Sequence, residues 1–254
     1  MKLRTVAYIL AITGLTAGCA GGKMDMNSLT SGATKVFSAY NMSDAEVKTL
    51  SDQACVEADK DNKVAAKGSK YDKRLQRLVK PLSKPLNGVQ PDFKVYQVKE
   101  INAWAMANGC IRVYAGLMDK MTDAEVQGVI AHEMGHVDLG HSKKAMQTAY
   151  SVSAARELAG STGNAAVTAL SASQAGELAE KFINAQYSQS QESEADSYAY
   201  DTLKANKLKT EALVTAFNKL AALDGGGSSS MLSSHPASGD RAAKIQARID
   251  ADKK

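Results

Sequence analysis

Residues 132–136 read His-Glu-Met-Gly-His, and no other stretch restricts this chain as tightly. On an α-helix, positions i and i+4 lie one turn apart on the same face. His132 and His136 can then point their imidazoles at one ion, with Glu133 on the adjoining edge. One short stretch thus supplies two metal ligands and a base, provided that it is helical. The local sequence favours a helix, because Thr122-Asp-Ala-Glu125 is a capping box and the residues from Val126 onward keep a helical pattern. The chain has four histidines, and three of them, His132, His136 and His141, fall within ten residues. His141 lies five positions past His136, off the ligand face, and reads as a capping or surface histidine. Gly135 costs about 1 kcal/mol against Ala inside a helix, which predicts another element packed closely there.

A metal site that works on substrates takes three protein ligands and keeps one position for water. The best downstream source of the third ligand is Glu192-Ser-Glu-Ala-Asp196. Glu192 and Asp196 are again i and i+4, so one carboxylate can bind the ion while the other accepts the ring N–H of a ligand histidine. An acidic cluster read alone would be a solvated helix face; the upstream histidines change its meaning.

The rest of the chain reads as helices around a small sheet. Ser43-Asp-Ala-Glu46 caps an amphipathic helix with Val47, Leu50 and Ala54 inward, and a second helix is predicted over 71–82. Strands are predicted at 93–98, 101–105 and 111–114, the last following an Asn108-Gly109 turn. Residues 157–178 read as a loop or weak helix, 177–205 as one long helix, 224–230 as a flexible Gly-Ser linker and 239–249 as a final short helix.

The first twenty residues have a basic start (Lys2, Arg4), an apolar stretch from Val6 to Leu15, and small residues leading into Cys19. About ten apolar residues fall short of the roughly twenty that span a bilayer, so this reads as a lipoprotein export signal with a fatty acyl (palmitate) group on Cys19. Leu15 sits one place further from the cysteine than a lipobox usually has it. The organisation expected is a signal peptide over 1–18, a lipid-anchored tether over 19–31 and one domain over 32–254. With Ala20 rather than Asp after the cysteine, the expected location is the outer membrane, facing the periplasm. In that oxidising compartment the two remaining cysteines, Cys55 and Cys110, are expected to pair. The net charge of +4 falls to +2 once Lys2 and Arg4 are removed, leaving 29 basic against 27 acidic residues. So even a balance gives no basis for a nucleic-acid partner.

The combination of H-E-x-G-H (His132–His136), E-x-E-A-D (Glu192–Asp196) and S-H-P-x-x-x-x-R (Ser234–Arg241) resembles the gluzincin metallopeptidases, the family of HtpX, BepA and the CAAX prenyl endopeptidases. The resemblance runs from about residue 29 almost to the C-terminus. It implies an α+β, helix-dominated zincin-like domain with a small β-sheet beside the active-site helix. It also implies one zinc per chain held by His132, His136 and Glu192, with Glu133 as general base and Asp196 as partner of His132. His235 is expected to reach the active site, either as an oxyanion donor or as a fourth ligand that keeps the enzyme latent, with latency favoured at rest. Arg241 would anchor the last helix on an acidic partner. Asn102-Ala103-Trp104 resembles the edge strand on which such enzymes lay a substrate backbone; the alternative is an ordinary core strand with Trp104 buried.

These readings predict a zinc endopeptidase of the cell envelope acting on misfolded or misassembled proteins. Expected partners are protein or peptide substrates, the membrane through Cys19, and other envelope quality-control proteins. The alternative is a latent zinc-containing chaperone or adaptor lipoprotein. Glu133 argues against it, since a structural zinc fills its fourth position and needs no base.

Overall fold

The computed structural model describes residues 41–158, 170–223, 231–235 and 240–253. The expected signal peptide, Cys19, tether and Gly-Ser linker lie outside the described residues.

Helix α1 (Asp44–Asp61) begins at Ser43, whose hydroxyl accepts from the Glu46 amide while the Glu46 carboxylate accepts from the Ser43 amide. Helix α2 (Lys70–Val79) is capped by Ser69 and tightens into a 3-10 turn over Lys80–Leu82, where Pro81 has no N–H to continue the helix. Three strands follow: β1 (Asp92–Tyr96), β2 (Ala103–Ala105) and β3 (Cys110–Tyr114), each within two residues of the predicted spans. Their order is β1-β3-β2, with β1 parallel and β2 antiparallel to β3, so Ala103 faces Val113 and β2 is an edge. Gly109 makes the β2–β3 turn with φ +80°, and a Cβ there would lie 2.8 Å from the Gln90 carbonyl oxygen.

After a short helix α3 (Ala115–Lys120), helix α4 (Asp123–Asp138) starts at the Thr122–Glu125 capping box. Every residue from Gly128 to Val137 is buried. A helix enclosed on all sides must be the centre of the molecule, and α4 is packed by β2, α2 and three later helices. Those are α5 (His141–Leu158), α7 (Gln189–Ala205) and α8 (Glu211–Leu223); α6 (Ala172–Ile183) lies against α1 and α5. A single helical turn α9 (Met231–Ser234) and the terminal helix α10 (Asp240–Asp252) complete the described chain. Among the described residues no helix is long and apolar enough to cross a membrane.

One expectation is corrected. The predicted helix over 177–205 is two helices, because α6 stops at Asn184 and Ser188 opens α7 with its own capping box to Gln191. Of the segment expected to be a loop or weak helix over 157–178, residues 159–169 lie outside the described residues, and its flanks are the end of α5 and the start of α6. Helix α8, unanticipated, packs Leu213, Ala216 and Leu220 inward at 3–4-residue spacing.

Cys55 and Cys110 are joined by a disulfide, which ties α1 to β3. Beside it Arg112, wholly buried, reaches Asp59 of α1 at 2.7 Å and Asp92 at the start of β1 at 2.8 Å, so its charge is paired where α1 meets the sheet. Tyr96 adds a hydroxyl bond to Asp59 and an edge-on contact with Trp104.

Candidate metal centre

Helix α4 presents His132 and His136 one turn apart, with their Nε2 atoms 3.1 Å from each other. Helix α7 crosses α4 at Gly135, where a Cβ would come within 3.1 Å of the Ala195 Cα. The close packing anticipated from Gly135 is therefore the approach of α7, and that approach delivers Glu192. Its carboxylate oxygens stand 3.4 Å from His132 Nε2 and 3.4 Å from His136 Nε2. Directly after α9 comes His235, whose Nδ1 lies 3.3 Å from His132 Nε2 and 3.0 Å from Glu192 Oε1. All four residues are buried, and one ligand atom from each fits within 4.8 Å of the others.

The spacing bears directly on what the four groups can hold. A tetrahedral divalent ion with bonds of about 2.0–2.1 Å separates its ligand atoms by about 3.3 Å; the pairs that involve His132 or Glu192 stand 3.0 to 3.4 Å apart, within an overall spread of 4.8 Å. Imidazole nitrogens with one carboxylate suit a transition ion better than magnesium or calcium, which prefer oxygen. The residues fit a metal ion.

Around this cluster each group has a support. His132 Nδ1 donates to Asp196 Oδ1 at 2.9 Å, and Arg241, at the start of α10, clamps both oxygens of Asp196 at 2.7 and 2.6 Å. The same guanidinium pairs with Glu192 Oε2 at 2.7 Å and lies over the Phe217 ring. Arg241 thus joins the last helix to the two carboxylates of α7. Tyr187, in the break between α6 and α7, stacks on His136 with ring centres 3.8 Å apart, and its amide donates to the Ser234 carbonyl. That break, hidden within the long predicted helix, is what brings Tyr187 to the site.

Electrostatics follow from burial opposed by close partners. Burial alone would lower the pKa of His132, but its bonds to Asp196 and Glu192 push it up to about 9. Glu192, which burial alone would raise, is held far below the usual carboxylate range by His132, then His136 and His235. His136 is driven well below the usual imidazole value, chiefly by burial. Burial raises the carboxyl of Glu133, against the pull of His235 and His132. Glu133 Oε1 lies 3.5 Å from His235 Nε2, beside the cluster.

Residues 69–249 match the family model for Peptidase family M48. The chain belongs to this family. It is accordingly a metalloendopeptidase. It is 50% identical over 252 residues to Metalloprotease LoiP of Escherichia coli (strain K12), covering 99% of both chains. It is 45% identical over 255 residues to Metalloprotease YcaL of the same strain, covering 99% of this chain and 100% of that one. Protease HtpX of Glaesserella parasuis serovar 5 (strain SH0165) is a more distant relative, 26% identical over 139 residues, 53% of this chain and 46% of that one.

Membership of the M48 family agrees with the geometry: the motif histidines, Glu192 and His235 share one buried site, Glu133 is beside it, and Asp196 and Arg241 brace it. Asn102 and Ala103 stand at the sheet edge next to α4, both buried. Trp104 is buried too.

His141 is where the expectation fails. It is only 6% exposed, and its Nδ1 lies 3.2 Å from His136 Nδ1 while its Nε2 lies 3.0 Å from Glu194 Oε2. A helix continuing past His136 would carry His141 away from the ligand face, but α4 ends at Asp138 and Gly140, at φ +75°, turns the chain back. The Leu139-Gly140 pair after the motif was the available signal.

Proposed function

We propose that this chain is a zinc-dependent endopeptidase of the bacterial cell envelope, anchored to the outer membrane through a lipid on Cys19 and directed at misfolded or misassembled envelope proteins. The observation that carries the catalytic part is the convergence of His132, His136 and Glu192 on one buried point with Glu133 alongside. The signal-like first twenty residues carry the location.

His132, His136 and Glu192 hold the zinc in this reading. Zinc bound there supplies a Lewis acid that allows water to ionise near neutral pH. The Glu133 carboxylate takes a proton from the water attacking the scissile carbonyl and returns it to the leaving amine nitrogen. Asp196 keeps the proton of His132 on Nδ1, so that Nε2 faces inward, and Arg241 holds Asp196 in place.

His235 closes the site at rest. Its Nδ1 stands among the other ligand atoms, and α9, which leads into it, donates the Met231 amide to the Ile101 carbonyl just before edge strand β2 at 3.4 Å. Displacing α9 would free the fourth position and the strand edge together. A substrate backbone would then add to β2 at Asn102 and Ala103, where the buried Asn102 Oδ1 has no hydrogen-bond partner among the described residues.

The test is digestion of casein or a peptide by the purified protein, with and without a chelator, beside Glu133→Gln. That variant keeps all three ligands and should bind zinc as the parent does while losing cleavage by about three orders of magnitude or more, as removing a central catalytic group does elsewhere. Wild-type cleavage by Glu133→Gln refutes the mechanism. Zinc binding with no cleavage by the parent under any condition favours the chaperone or adaptor reading.

A further inference from the structure

We propose that His141 and Glu194 form a positioning relay that fixes the proton and ring plane of His136, a second support built separately from the one that serves His132. The proposal rests on the reading of His136 as a metal ligand.

An imidazole that binds an ion through Nε2 carries its proton on Nδ1, and that N–H needs an acceptor when buried. For His132 the acceptor is the Asp196 carboxylate. His136 has no carboxylate at Nδ1; it meets the Nδ1 of His141 at 3.2 Å. One nitrogen must donate and the other accept, so with the proton on His136 the Nδ1 of His141 is bare and its own proton sits on Nε2. That Nε2 is directed at Glu194 Oε2, 3.0 Å away, and the other oxygen of Glu194 accepts from the Ser190 hydroxyl at 2.8 Å. Donors and acceptors alternate without conflict along the whole path. The opposite assignment puts the proton of a neutral His136 on Nε2, facing Glu192 Oε1 at 3.4 Å, where the nitrogen could no longer bind an ion.

The backbone makes the arrangement specific. His141 is the first residue of α5, delivered by the Gly140 turn, and Glu194 lies two residues after Glu192 on α7. One helix therefore supplies an inward carboxylate to the metal cluster and an outward one to the relay. Tyr187 stacks on the His136 face while His141 holds its edge, so the ring is fixed in both senses. The two supports differ in exposure: Asp196 is buried against Arg241, whereas the Glu194 side chain is 55% exposed.

The experiment is competition for Zn2+ between the full-chain protein and a chromophoric chelator, with the imidazole 15N spectrum of the zinc-loaded protein as second readout. Losing such an outer partner typically weakens metal binding by about 10–100-fold, and that loss is expected for His141→Phe. Glu194→Ala, at an exposed position that leaves the fold intact, should give a smaller loss in the same direction. His141→Asn, whose side-chain oxygen can accept near the position of the lost Nδ1, should recover part of the affinity. The spectrum should show His141 protonated on Nε2 and bare on Nδ1. Should His141→Phe fail to fold, Glu194→Ala and the spectrum decide. Unchanged affinity in both Glu194→Ala and the His141 variants, or a proton on Nδ1 of His141, overturns the relay. His136→Ala separates the two levels: if it binds Zn2+ like the parent, the metal-centre reading falls and the relay with it. If it loses the ion while the His141 and Glu194 variants do not, the relay alone falls.

Discussion

Adding one methyl group at the crossing of α4 and α7 should disturb the metal centre without touching a ligand. In Gly135→Ala the new Cβ would stand 3.1 Å from the Ala195 Cα, 3.1 Å from Tyr198 Cδ1 and 3.2 Å from the Ala195 carbonyl oxygen. Carbon atoms in good contact sit about 3.5–4.0 Å apart, so the neighbours must retreat by about half an ångström. The Tyr198 ring can swing, but two of the three contacts are backbone of α7, and that helix is tied down by Asp196, Arg241 and its packing on α4. Overpacking of this kind costs about 1–3 kcal/mol, while exchanging glycine for alanine inside a helix returns about 1 kcal/mol. The net expectation is a loss of about 0–2 kcal/mol, small because the terms oppose each other. The effect on the ion should be clearer, since metal sites tolerate ligand displacements of only about 0.2 Å and Glu192 rides on α7 three residues before Ala195. Urea unfolding of the metal-free protein and Zn2+ competition measure the two parts separately. Equal zinc affinity in variant and parent would refute the claim that the Gly135 contact sets the position of Glu192.

His235→Ala should raise basal cleavage if His235 fills the fourth position at rest, and lower it if the ring chiefly donates to the oxyanion; a peptidase assay on the purified variant distinguishes them. Removing the Cys55–Cys110 bridge by paired serine substitution opens a loop of 55 residues, which in the chain-entropy model costs about 4 kcal/mol, read as a lower urea midpoint. Asp59, which burial alone would raise, is held below the ordinary aspartate value of 3.8 by Arg112 and Lys94. A depressed acid stabilises the fold above its unfolded value and loses that contribution as pH falls. The parent should therefore weaken more steeply below about pH 4 than Asp59→Asn, and parallel urea midpoints from pH 6 to 3 would contradict this.

Much of the site was legible because its information is local. His132, Glu133 and His136 lie within one helical turn, and helix periodicity alone puts the two rings on one side. The capping boxes at Ser43 and Thr122 announce helix starts through hydrogen bonds that span three residues. The same rule applied to Ser188 and Gln191 would have divided the helix expected over 177–205, but Glu177–Ile183 and Gln189–Ala205 are both helical in pattern and the short break between them interrupts it little. The sequence of α8 carries the same apolar spacing at three- to four-residue intervals.

What the sequence determined by itself was the inventory: a motif that must be helical to work, carboxylates at matching spacing downstream, a histidine locked to a proline near the end, and two cysteines left to pair. Tertiary structure decided which of these meet and in what role. Residues 132 and 235 are 103 positions apart, yet their ring nitrogens stand 3.3 Å apart, a distance set by how α9 docks beside β2 and Tyr187. His141 shows the limit most directly. Its five-residue offset from His136 has one meaning if the helix continues and the opposite meaning once Gly140 turns the chain. The turn holds because α5 and α7 pack back against α4 and bury the histidine between them, and such packing depends on surfaces far apart in the chain.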